Sequence, residues 1–432
     1  MRVPLRHPQT LRWLLAVAGL LAWQLVAAGP ATAMPGQLDP SFGGDGKVTT
    51  AFAGDAGANA VVVQDGKLVA AGFALVGPTV DFALARYNRD GSLDRSFGTG
   101  GRVTTDFAGG GAQATTLVVQ TDGKLVAAGL THTDAGEDFA LARYRRDGTL
   151  DPTFGVGGKV TTDFAGGNDA ALALVVQADG KLVAAGLMND GTADADFAVA
   201  RYRQNGTLDP SFGTGGRAVT DLGAYDVARA LVVQDGRLVA AGLTFTGEFE
   251  SGNFALARYR QNGTLDPSFG SGGKVITDFA GSFDEAHALV VQDGRLVAGG
   301  TAFTGTGPDY ALARYRHNGT LDPTFGAGGK VTTDISGDVL GNADVANALV
   351  VQDGKLVAAG FAFPGTFDFA LARYRHNGAL DPTFGSAGKV TTDFAGGEDR
   401  AEGLVVQGGR LVAAGSTITA SAGQRFALAR YL

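Results

Sequence analysis

Three segments, each repeated seven times in the same order, predict an all-β fold for this chain. The first is an apolar hairpin such as A-L-V-V-Q-D-G-K-L-V-A-A-G at residues 348–360. The second is F-A-L-A-R-Y, and the third is L-D-P-[ST]-F-G followed by a run similar to G-K-V-T-T-D. Four short strands in each of seven repeats of about 57 residues predict a seven-bladed β-propeller with four-stranded blades.

The hairpin supplies the two inner strands of each blade, which we name strands A and B. Asp-Gly between two runs of β-branched and small residues is the strongest short-range signal of a type I′ turn. Neither run alternates between apolar and polar residues, which is typical of strands covered on both faces. The second and third copies lengthen the turn by one residue, and the last copy uses Gly408-Gly409. The hairpins are centred on Gln64, Gln120, Gln177, Gln234, Gln292, Gln352 and Gln407.

The other two segments supply the outer strands, C from F-A-L-A-R-Y and D from G-K-V-T-T. The threonines of strand D suit a more exposed edge. The first repeat begins with strand D at residues 47–50 and the last ends with strand C, so we expect this N-terminal strand to complete the last blade as its outer edge. An open solenoid is the rival architecture, but it needs atypical terminal repeats, and the first and last copies here are as regular as the others.

Residues 1–33 differ in composition from the repeats and predict a signal peptide. Three arginines precede an apolar run over residues 13–28, and Ala31-Thr32-Ala33 has the small-x-small pattern of a cleavage site. The alternative is a retained N-terminal membrane anchor. We therefore expect residues 34–432 to form the propeller and to be secreted, extracellular or at the cell surface, or in the periplasm of a Gram-negative source. The chain has no Cys, so its stability must come from burial and closure of the ring.

Together the three segments resemble the delta-60 repeat family, a bacterial β-propeller repeat. Its units have the form L-D-x-x-F-G-x-x-G-K-V-x-T, Q-x-D-G-K-L-V-x-A-G and F-x-L-x-R-Y-x-x-[DN]-G-x-L-D. The resemblance covers residues 38–432. It implies a secreted or surface propeller with no generally assigned activity. Two departures are Arg95, which replaces the motif proline, and Ala51, which replaces the Asp that follows strand D in the other repeats.

The connections between strands divide the predicted ring into two ends of opposite charge. We name the end with the A-to-B and C-to-D connections the turn end, because these connections are nearly identical among the copies. The B-to-C and D-to-A connections vary and form the variable end, as binding loops on a fixed scaffold do. Beyond residue 33, the variable end receives 27 acidic and three basic residues, and the turn end receives 16 acidic and 29 basic residues.

Regularly placed aspartates at the variable end are the candidate cation ligands. One set follows strand D, and a second set begins strand C. Carboxylates with loop carbonyls could hold Ca²⁺, which is the candidate cofactor. The alternative is that these aspartates accept backbone N–H bonds in turns and keep the protein soluble. The first set is Asp106, Asp163, Asp221, Asp278, Asp334 and Asp393. The second set is Asp81, Asp138, Asp196, Asp309 and Asp368.

A second recurrent set has a predicted structural role at the turn end. The Arg of F-A-L-A-R-Y and the Asp of L-D-P occur once in each blade, and a site used once would not need seven copies. We expect buried ion pairs, or arginines bonded to loop carbonyls. The arginines are Arg86, Arg143, Arg201, Arg258, Arg314, Arg373 and Arg430. The aspartates are Asp39, Asp94, Asp151, Asp209, Asp266, Asp322 and Asp381.

Catalytic motifs are sparse in this chain. The four histidines beyond residue 33 form no metal-ligand spacing, and there is no G-x-S-x-G elbow and no phosphate-binding loop. The negative charge speaks against nucleic acid. The sequence favours a monomeric binding scaffold whose acidic, variable end takes a protein, a glycan or another cationic ligand. The alternatives are a calcium-dependent hydrolase or lyase with a carboxylate site at the variable end of the channel, and a purely structural surface protein.

Overall fold

The computed structural model confirms a seven-bladed, all-β propeller of four-stranded antiparallel blades. The predicted signal peptide, residues 1–33, lies outside the described residues. No helix occurs in the described part of the chain, and so none there could cross a membrane. The structure describes residues 34–107, 110–192, 194–245, 251–279, 283–305, 307–337 and 343–432.

Strands A and B form the inner half of each blade. Strand A of every blade contacts strand A of the blades on both sides, and the first blade contacts the last, so the ring is closed. In blade order, the A strands are β2 (Ala56–Gln64), β6 (Ala112–Val119), β10 (Ala170–Val176), β14 (Tyr225–Gln234), β18 (Asp284–Gln292), β22 (Val345–Gln352) and β26 (Glu398–Gln407). The B strands are β3 (Lys67–Val76), β7 (Leu125–Thr133), β11 (Leu182–Met188), β15 (Arg237–Phe245), β19 (Arg295–Phe303), β23 (Lys355–Ala362) and β27 (Arg410–Thr419).

Strands C and D form the outer half, and the first strand of the chain closes the ring as expected. The C strands are β4 (Thr79–Tyr87), β8 (Gly136–Tyr144), β12 (Asp196–Tyr202), β16 (Gly252–Tyr259), β20 (Pro308–Tyr315), β24 (Asp368–Tyr374) and β28 (Gly423–Tyr431). The D strands of the first six blades are β5 (Arg102–Thr105), β9 (Lys159–Thr162), β13 (Arg217–Thr220), β17 (Lys274–Thr277), β21 (Lys330–Thr333) and β25 (Lys389–Thr392). In the seventh blade β1 (Lys47–Thr50) pairs with β28, with Thr50 opposite Phe426.

The A-to-B turns have the backbone that the Asp-Gly signal requires. Asp353 and Gly354 have φ values of 50° and 73°, and both lie in the left-handed region of a type I′ turn. The Gly408-Gly409 turn of the last blade, at 57° and 81°, does the same with a different pair. In the two lengthened copies only the Gly has a positive φ, so the extra residue changes the turn type without disturbing the hairpin.

Every strand A carries a β-bulge, which explains the Gly that ends each K-L-V-A-A-G segment. In the third blade the register shifts between Ala171 and Ala173, and Gly186 of strand B lies opposite. A Cβ on Gly186 would lie 1.8 Å from the carbonyl oxygen of Ala170. The repeated Gly therefore allows the close approach of the two strands, and the bulge places one additional residue of each blade in the inner ring.

The blades are joined by apolar packing and by one repeated hydrogen bond. The hydroxyl of Tyr259, which ends strand C of the fourth blade, lies 2.9 Å from the Thr220 hydroxyl on strand D of the third. Both side chains are buried, and an equivalent pair occurs at all seven junctions. The expectation of an exposed threonine edge is therefore wrong for the last Thr of strand D, because this residue faces the next blade. The preceding residue of strand D is exposed.

Candidate functional site

The turn end contains seven buried ion pairs, one in each blade. Arg258 Nε lies 3.0 Å from Asp266 Oδ2, and its guanidinium stacks 4.5 Å from the centre of the Phe269 ring. The same guanidinium donates to the carbonyl oxygen of His317 in the next blade, at 2.6 Å. In the other six blades the Nε–Oδ2 distances are 2.7–2.9 Å, for the pairs Arg86–Asp94, Arg143–Asp151, Arg201–Asp209, Arg314–Asp322, Arg373–Asp381 and Arg430–Asp39.

A second cation, which the sequence did not assign to these pairs, also contacts each of the seven aspartates. It is the first basic residue of strand B, such as Arg237, whose Nε lies 2.8 Å from Asp266 Oδ2. Burial alone would raise the pKa of Asp266, but the hydrogen bonds from Ser268 and the two arginine charges outweigh it and lower the pKa. These aspartates are therefore ionised structural partners, and their set offers no open position to a ligand.

At the variable end, the register of strands C and D brings the two predicted sets of aspartates together. Phe139 of strand C is paired with Thr162 of strand D, so Asp138 before the one and Asp163 after the other lie side by side. Asp163 also accepts a backbone N–H bond from Gly166 at 2.6 Å, which is the turn role given above as the alternative. One oxygen of Asp163 therefore serves the loop, and the side chain still meets a second carboxylate.

A third aspartate, at the start of strand A of the next blade or just before it, completes these sites, and it was missed in the sequence. Asp169 is fully buried, and its backbone N–H donates to the carbonyl of Glu137, at 2.7 Å, just before Asp138. Its Oδ2 accepts the N–H of Phe164 at 2.6 Å. The equivalent residues in later blades are Asp226, Asp284, Asp344 and Asp399, each eight residues before the Gln that ends the A-L-V-V-Q segment.

Four blade junctions gather three carboxylates in this way, and we name them the junction triads. Within each triad, one carboxylate oxygen per residue lies within 4.8 Å of the others. They contain four of the six predicted post-D ligands, whereas Asp106 and Asp278 lie outside them. The triads are Asp138–Asp163–Asp169, Asp196–Asp221–Asp226, Asp309–Asp334–Asp344 and Asp368–Asp393–Asp399.

The buried member of a triad is held in an unfavourable electrostatic environment. Burial raises the pKa of Asp169 to about 6, and the charges of Asp163 and Asp138 add to the rise. Its Oδ1 is buried and has no hydrogen-bond partner among the described residues. This is the reverse of the turn end, where each buried carboxylate lies between two cations.

The other three junctions show how the arrangement is lost. Between the first and second blades, Asp81 and Asp106 are present but strand A offers Ala112. Between the fourth and fifth blades, Asp278 and Asp284 are accompanied by Asn253 instead of an aspartate. Between the seventh and first blades, the three positions are Arg425, Ala51 and Ala56.

The outer wall carries basic residues that reach between the blades. Lys159, at the start of strand D in the second blade, donates from Nζ to the carbonyl of Asp106 at 2.9 Å and lies 5.6 Å from the centre of the Phe107 ring. Four further lysines make the same contact with the carbonyl after the preceding strand D. These lysines were assigned to the turn end in the sequence, but their ammonium groups extend along the wall to the acidic junctions.

The inner ring of A strands carries a second group of residues, at the bulge, and six of the seven are polar. Their types vary among the blades, and several bridge to the next blade. Asn59 donates to the carbonyl of Ala114 at 2.7 Å, and Thr115 donates to that of Ala171 at 2.6 Å. From the first blade to the seventh, the residues are Asn59, Thr115, Leu172, Arg229, His287, Asn347 and Glu402.

Two members of this inner ring have strongly shifted pKa values. Burial raises the pKa of Glu402 to about 7, against the opposing charges of Arg400 and Arg229, and Asn347 Nδ2 donates to its Oε2 at 2.8 Å. Burial lowers the pKa of His287 to about 4, so this imidazole is neutral at neutral pH. Nothing in the sequence pattern marks these residues, because their types do not repeat.

Comparison with solved structures gives distant matches. The crystal structure of polysaccharide lyase Uly1 matches at 8% identity with a TM-score of 0.48, covering 87% of this chain and 89% of that one. A protein of unknown function from Dyadobacter fermentans DSM 18053 matches at 11% identity and 0.45, covering 89% and 97%. The propeller domain of the Trilobed protease from Pyrococcus furiosus matches at 10% and 0.44, covering 87% and 95%. At these values the likeness carries no argument about activity.

Comparison with protein families places the repeats more specifically. No curated protein matches the chain. The family model described as "Domain of unknown function (DUF5122) beta-propeller" matches residues 64–97, 120–154, 177–212, 234–269, 292–325 and 352–384. These segments run from the Gln of strand A to the L-D-P-[ST]-F region, so they contain strand C and the turn-end ion pair of the first six blades. The chain therefore carries repeats that fit this β-propeller family, for which no function is assigned.

Proposed function

We propose that this protein is a secreted or cell-surface binding module that takes a cationic partner, a protein or a glycan, at its acidic, variable end. The observation that carries the proposal is the contrast between the two ends. The seven buried carboxylates of the turn end lie between two cations each, whereas those of the junction triads cluster with one another. A surface with an excess of carboxylates attracts positively charged partners and repels anions.

The exposed acidic residues around the junction triads support the same proposal. Asp134 and Asp194 lie in connections of the variable end, Glu398 begins strand A of the seventh blade, and all three are exposed. They are not members of the triads, but the charge of Asp194 acts on one of them, since it raises the pKa of Asp196. Interactions of such exposed charges are screened by salt over about 8 Å at physiological ionic strength, so binding through them weakens as salt is added.

Binding of glucosamine oligomers tests the proposal, because their protonated amines make them a cationic glycan, and fully N-acetylated oligomers of the same length are the neutral control. We expect measurable binding of the cationic oligomer only, with affinity that falls as salt rises. The triple variant Asp134→Asn, Asp194→Asn, Glu398→Gln should weaken it several-fold. A Lys-rich peptide tests a protein partner in the same assay.

A matched variant at the turn end distinguishes binding by the variable end from a general effect of the protein's net charge. Asp65, Asp235 and Asp353 are exposed hairpin aspartates with φ near 50°, a conformation that Asn also tolerates. Changing all three to Asn removes the same charge from the other end and should leave binding unchanged. Equal losses in both triple variants, or equal binding of the cationic and neutral oligomers, would exclude a specific role for the variable end.

A second candidate function, hydrolysis or elimination on a glycan at the channel, is favoured by the inner ring. An active site gathers unlike polar residues from several blades, and the bulge positions do so with Arg229, His287, Asn347 and Glu402. A carboxyl group with a pKa of about 7 suits general acid or base catalysis near neutral pH.

Activity measurements on a panel of neutral and uronate-containing polysaccharides test this second candidate. New reducing ends indicate hydrolysis, and ultraviolet absorbance of an unsaturated product indicates elimination. Glu402→Gln should abolish either activity without lowering the melting temperature. Activity that survives in Glu402→Gln would place the reaction elsewhere.

A further inference from the structure

We propose that the four junction triads are binding sites for Ca²⁺, each cation linking two neighbouring blades. One carboxylate of a site begins strand C, the second follows strand D of the same blade, and the third lies at the start of strand A of the next blade or just before it. This inference deepens the proposed function, since it gives a ligand to the same acidic end, but it concerns the junction triads and not the other residues of the loops.

The spacing of the carboxylates suits an oxygen-coordinated cation. Ca²⁺ takes oxygen ligands at about 2.4 Å, so two ligands on opposite sides of the ion are about 4.8 Å apart. The three oxygens of each triad all lie within 4.8 Å of one another. The triads contain neither His nor Cys, which disfavours zinc and the softer metals.

The buried aspartate gives an independent reason to expect a ligand. In Asp169, one carboxylate oxygen holds the connection after strand D through Phe164, and this would be sufficient for a structural role. The other oxygen is buried, with no hydrogen-bond partner among the described residues, and the side chain is one of those that meet in the triad. A buried carboxylate oxygen left unpaired destabilises the fold, and a cation between the three carboxylates would remove that cost.

The seven junctions differ in ways that the proposal explains. Where strand A offers Ala112, only two of the three positions are carboxylates, the buried Asp81 and the exposed Asp106. Between the seventh and first blades, Arg425 occupies the strand C position and alanines occupy the other two. This junction therefore has a cationic side chain and no carboxylate at the three positions. In the triad of Asp309, Asp334 and Asp344, the Ser336 hydroxyl donates to Asp344 Oδ1 at 2.8 Å and competes with a metal. We therefore expect this site to be the weakest of the four.

Calcium titration of the purified, chelator-treated protein tests the proposal. Calorimetry should give close to four sites per chain, with dissociation constants on the order of 0.1–1 mM or tighter. Saturating CaCl₂ should raise the melting temperature above that in NaCl of matched ionic strength. MgCl₂ should give a smaller shift, because Mg²⁺ demands a tighter octahedral site.

Single substitutions then assign the sites. Asp169→Asn removes one charge but keeps an oxygen that can accept the N–H of Phe164, so the variant should fold and lose one calcium site. The exposed hairpin change Asp65→Asn is the control and should keep all sites. Ala112→Asp supplies the missing carboxylate beside Asp81 and Asp106, and it should add a site.

Two results would overturn the proposal: no calcium-dependent heat or melting shift in the wild-type protein, or an unchanged number of sites in folded Asp169→Asn. These outcomes are separable from failure of the proposed function. Loss of calcium sites with retained binding of cationic oligomers would contradict only the junction triads. Calcium binding without any oligomer binding would contradict only the interaction surface.

Discussion

Aspartates repeat with the period of the blades at both ends of this ring, but their surroundings are opposite. At the turn end, Asp266 lies between Arg258 and Arg237, and its pKa is lowered. At the variable end, Asp169 lies beside Asp138 and Asp163, and its pKa is raised. The same residue type therefore stabilises the fold at one end, while at the other it carries an electrostatic cost that a ligand can relieve.

The regularity of the two ends differs in the same sense. All seven blades contain the turn-end ion pair, whereas four of the seven junctions have a complete triad among the residues that the structure describes. A contact required for every blade to pack cannot be omitted from one blade without loss of the ring. A binding site can be absent from some junctions. Incomplete repetition is therefore the better guide to function in this molecule.

Removing a turn-end arginine should have the largest effect on stability. In Arg258→Ala, Asp266 keeps Arg237 but loses its buried partner, and the contacts with His317 and Phe269 are lost. Breaking a buried pair costs about 3–5 kcal/mol, and the remaining Arg237 places this variant towards the lower value. Melting temperature and the midpoint of denaturant unfolding measure the effect.

The control for this variant is Arg260→Ala, two residues further along in the exposed C-to-D turn. It removes the same charge from the same end and should change stability by less than about 0.5 kcal/mol. Equal melting temperatures for both variants would show that the repeated arginine has no structural role.

Replacing the buried inner-ring glutamate should instead stabilise the protein, in a pH-dependent way. The pKa of Glu402 is raised from 4.5 to about 7, so the folded state binds this proton more tightly than the unfolded state. Stability is lost as pH rises from 4.5 to 7, and the full cost applies above 7. We expect Glu402→Gln to be about 2–3 kcal/mol more stable than wild type at about pH 8 and equal to it near pH 4.

Thermal unfolding at the two pH values measures this difference. Glu398→Gln is the control, because Glu398 is an exposed carboxylate on the same strand. A destabilisation of Glu402→Gln that is the same at both pH values would mean that Glu402 is ionised and well solvated in the folded protein.

Loss of the hydrogen bond between neighbouring blades should lower the stability of the protein by an intermediate amount. Tyr259→Phe leaves the Thr220 hydroxyl buried without its partner at 2.9 Å, which costs about 1–2 kcal/mol. Adding Thr220→Val removes the second polar group and should recover part of the loss. Additive losses in the double variant would show that the two hydroxyls are not coupled.

The fold could be predicted from the sequence because its signals are local and repeated seven times. Asp-Gly turns, or Gly-Gly in the last blade, fix the hairpins. The repeats begin with a strand D at residues 47–50 and end with a strand C, so the first strand can complete the last blade and close the ring. The proximity of Asp138 to Asp163 could also be predicted from the sequence, because both residues flank segments of constant sequence. The third residue of the site could not, because it belongs to the neighbouring blade.

The third carboxylate was missed because it lies beyond a connection of variable length. Asp169 follows Asp163 by six residues, whereas Asp344 follows Asp334 by ten, so no fixed spacing joins them. The constant distance is the one to the Gln of strand A, because the register of that strand and not the loop positions the side chain. The inner ring was missed for a different reason: Arg229 and Glu402 occupy the same bulge position but share no residue type.

The smallest effect on stability should come from loss of an exposed ion pair at the turn end. This variant tests whether burial of the charge is what makes the turn-end arginines structural. Arg146 Nη1 lies 3.1 Å from Asp65 Oδ2 and links two blades, as the buried arginines do, but both side chains are more than half exposed. Solvent and salt screen such a pair, and holding two long side chains costs entropy. Arg146→Ala should therefore lower stability by less than about 0.5 kcal/mol, measured by thermal unfolding at low and high salt. The backbone carbonyl of Arg146 still accepts the hydrogen bond from Arg86, and the variant loses the ion pair together with the exposed hydrogen bond from Nε to the Asp122 carbonyl. A loss as large as that of Arg258→Ala would mean that linking the blades, and not burial of the charge, is what makes the turn-end arginines structural.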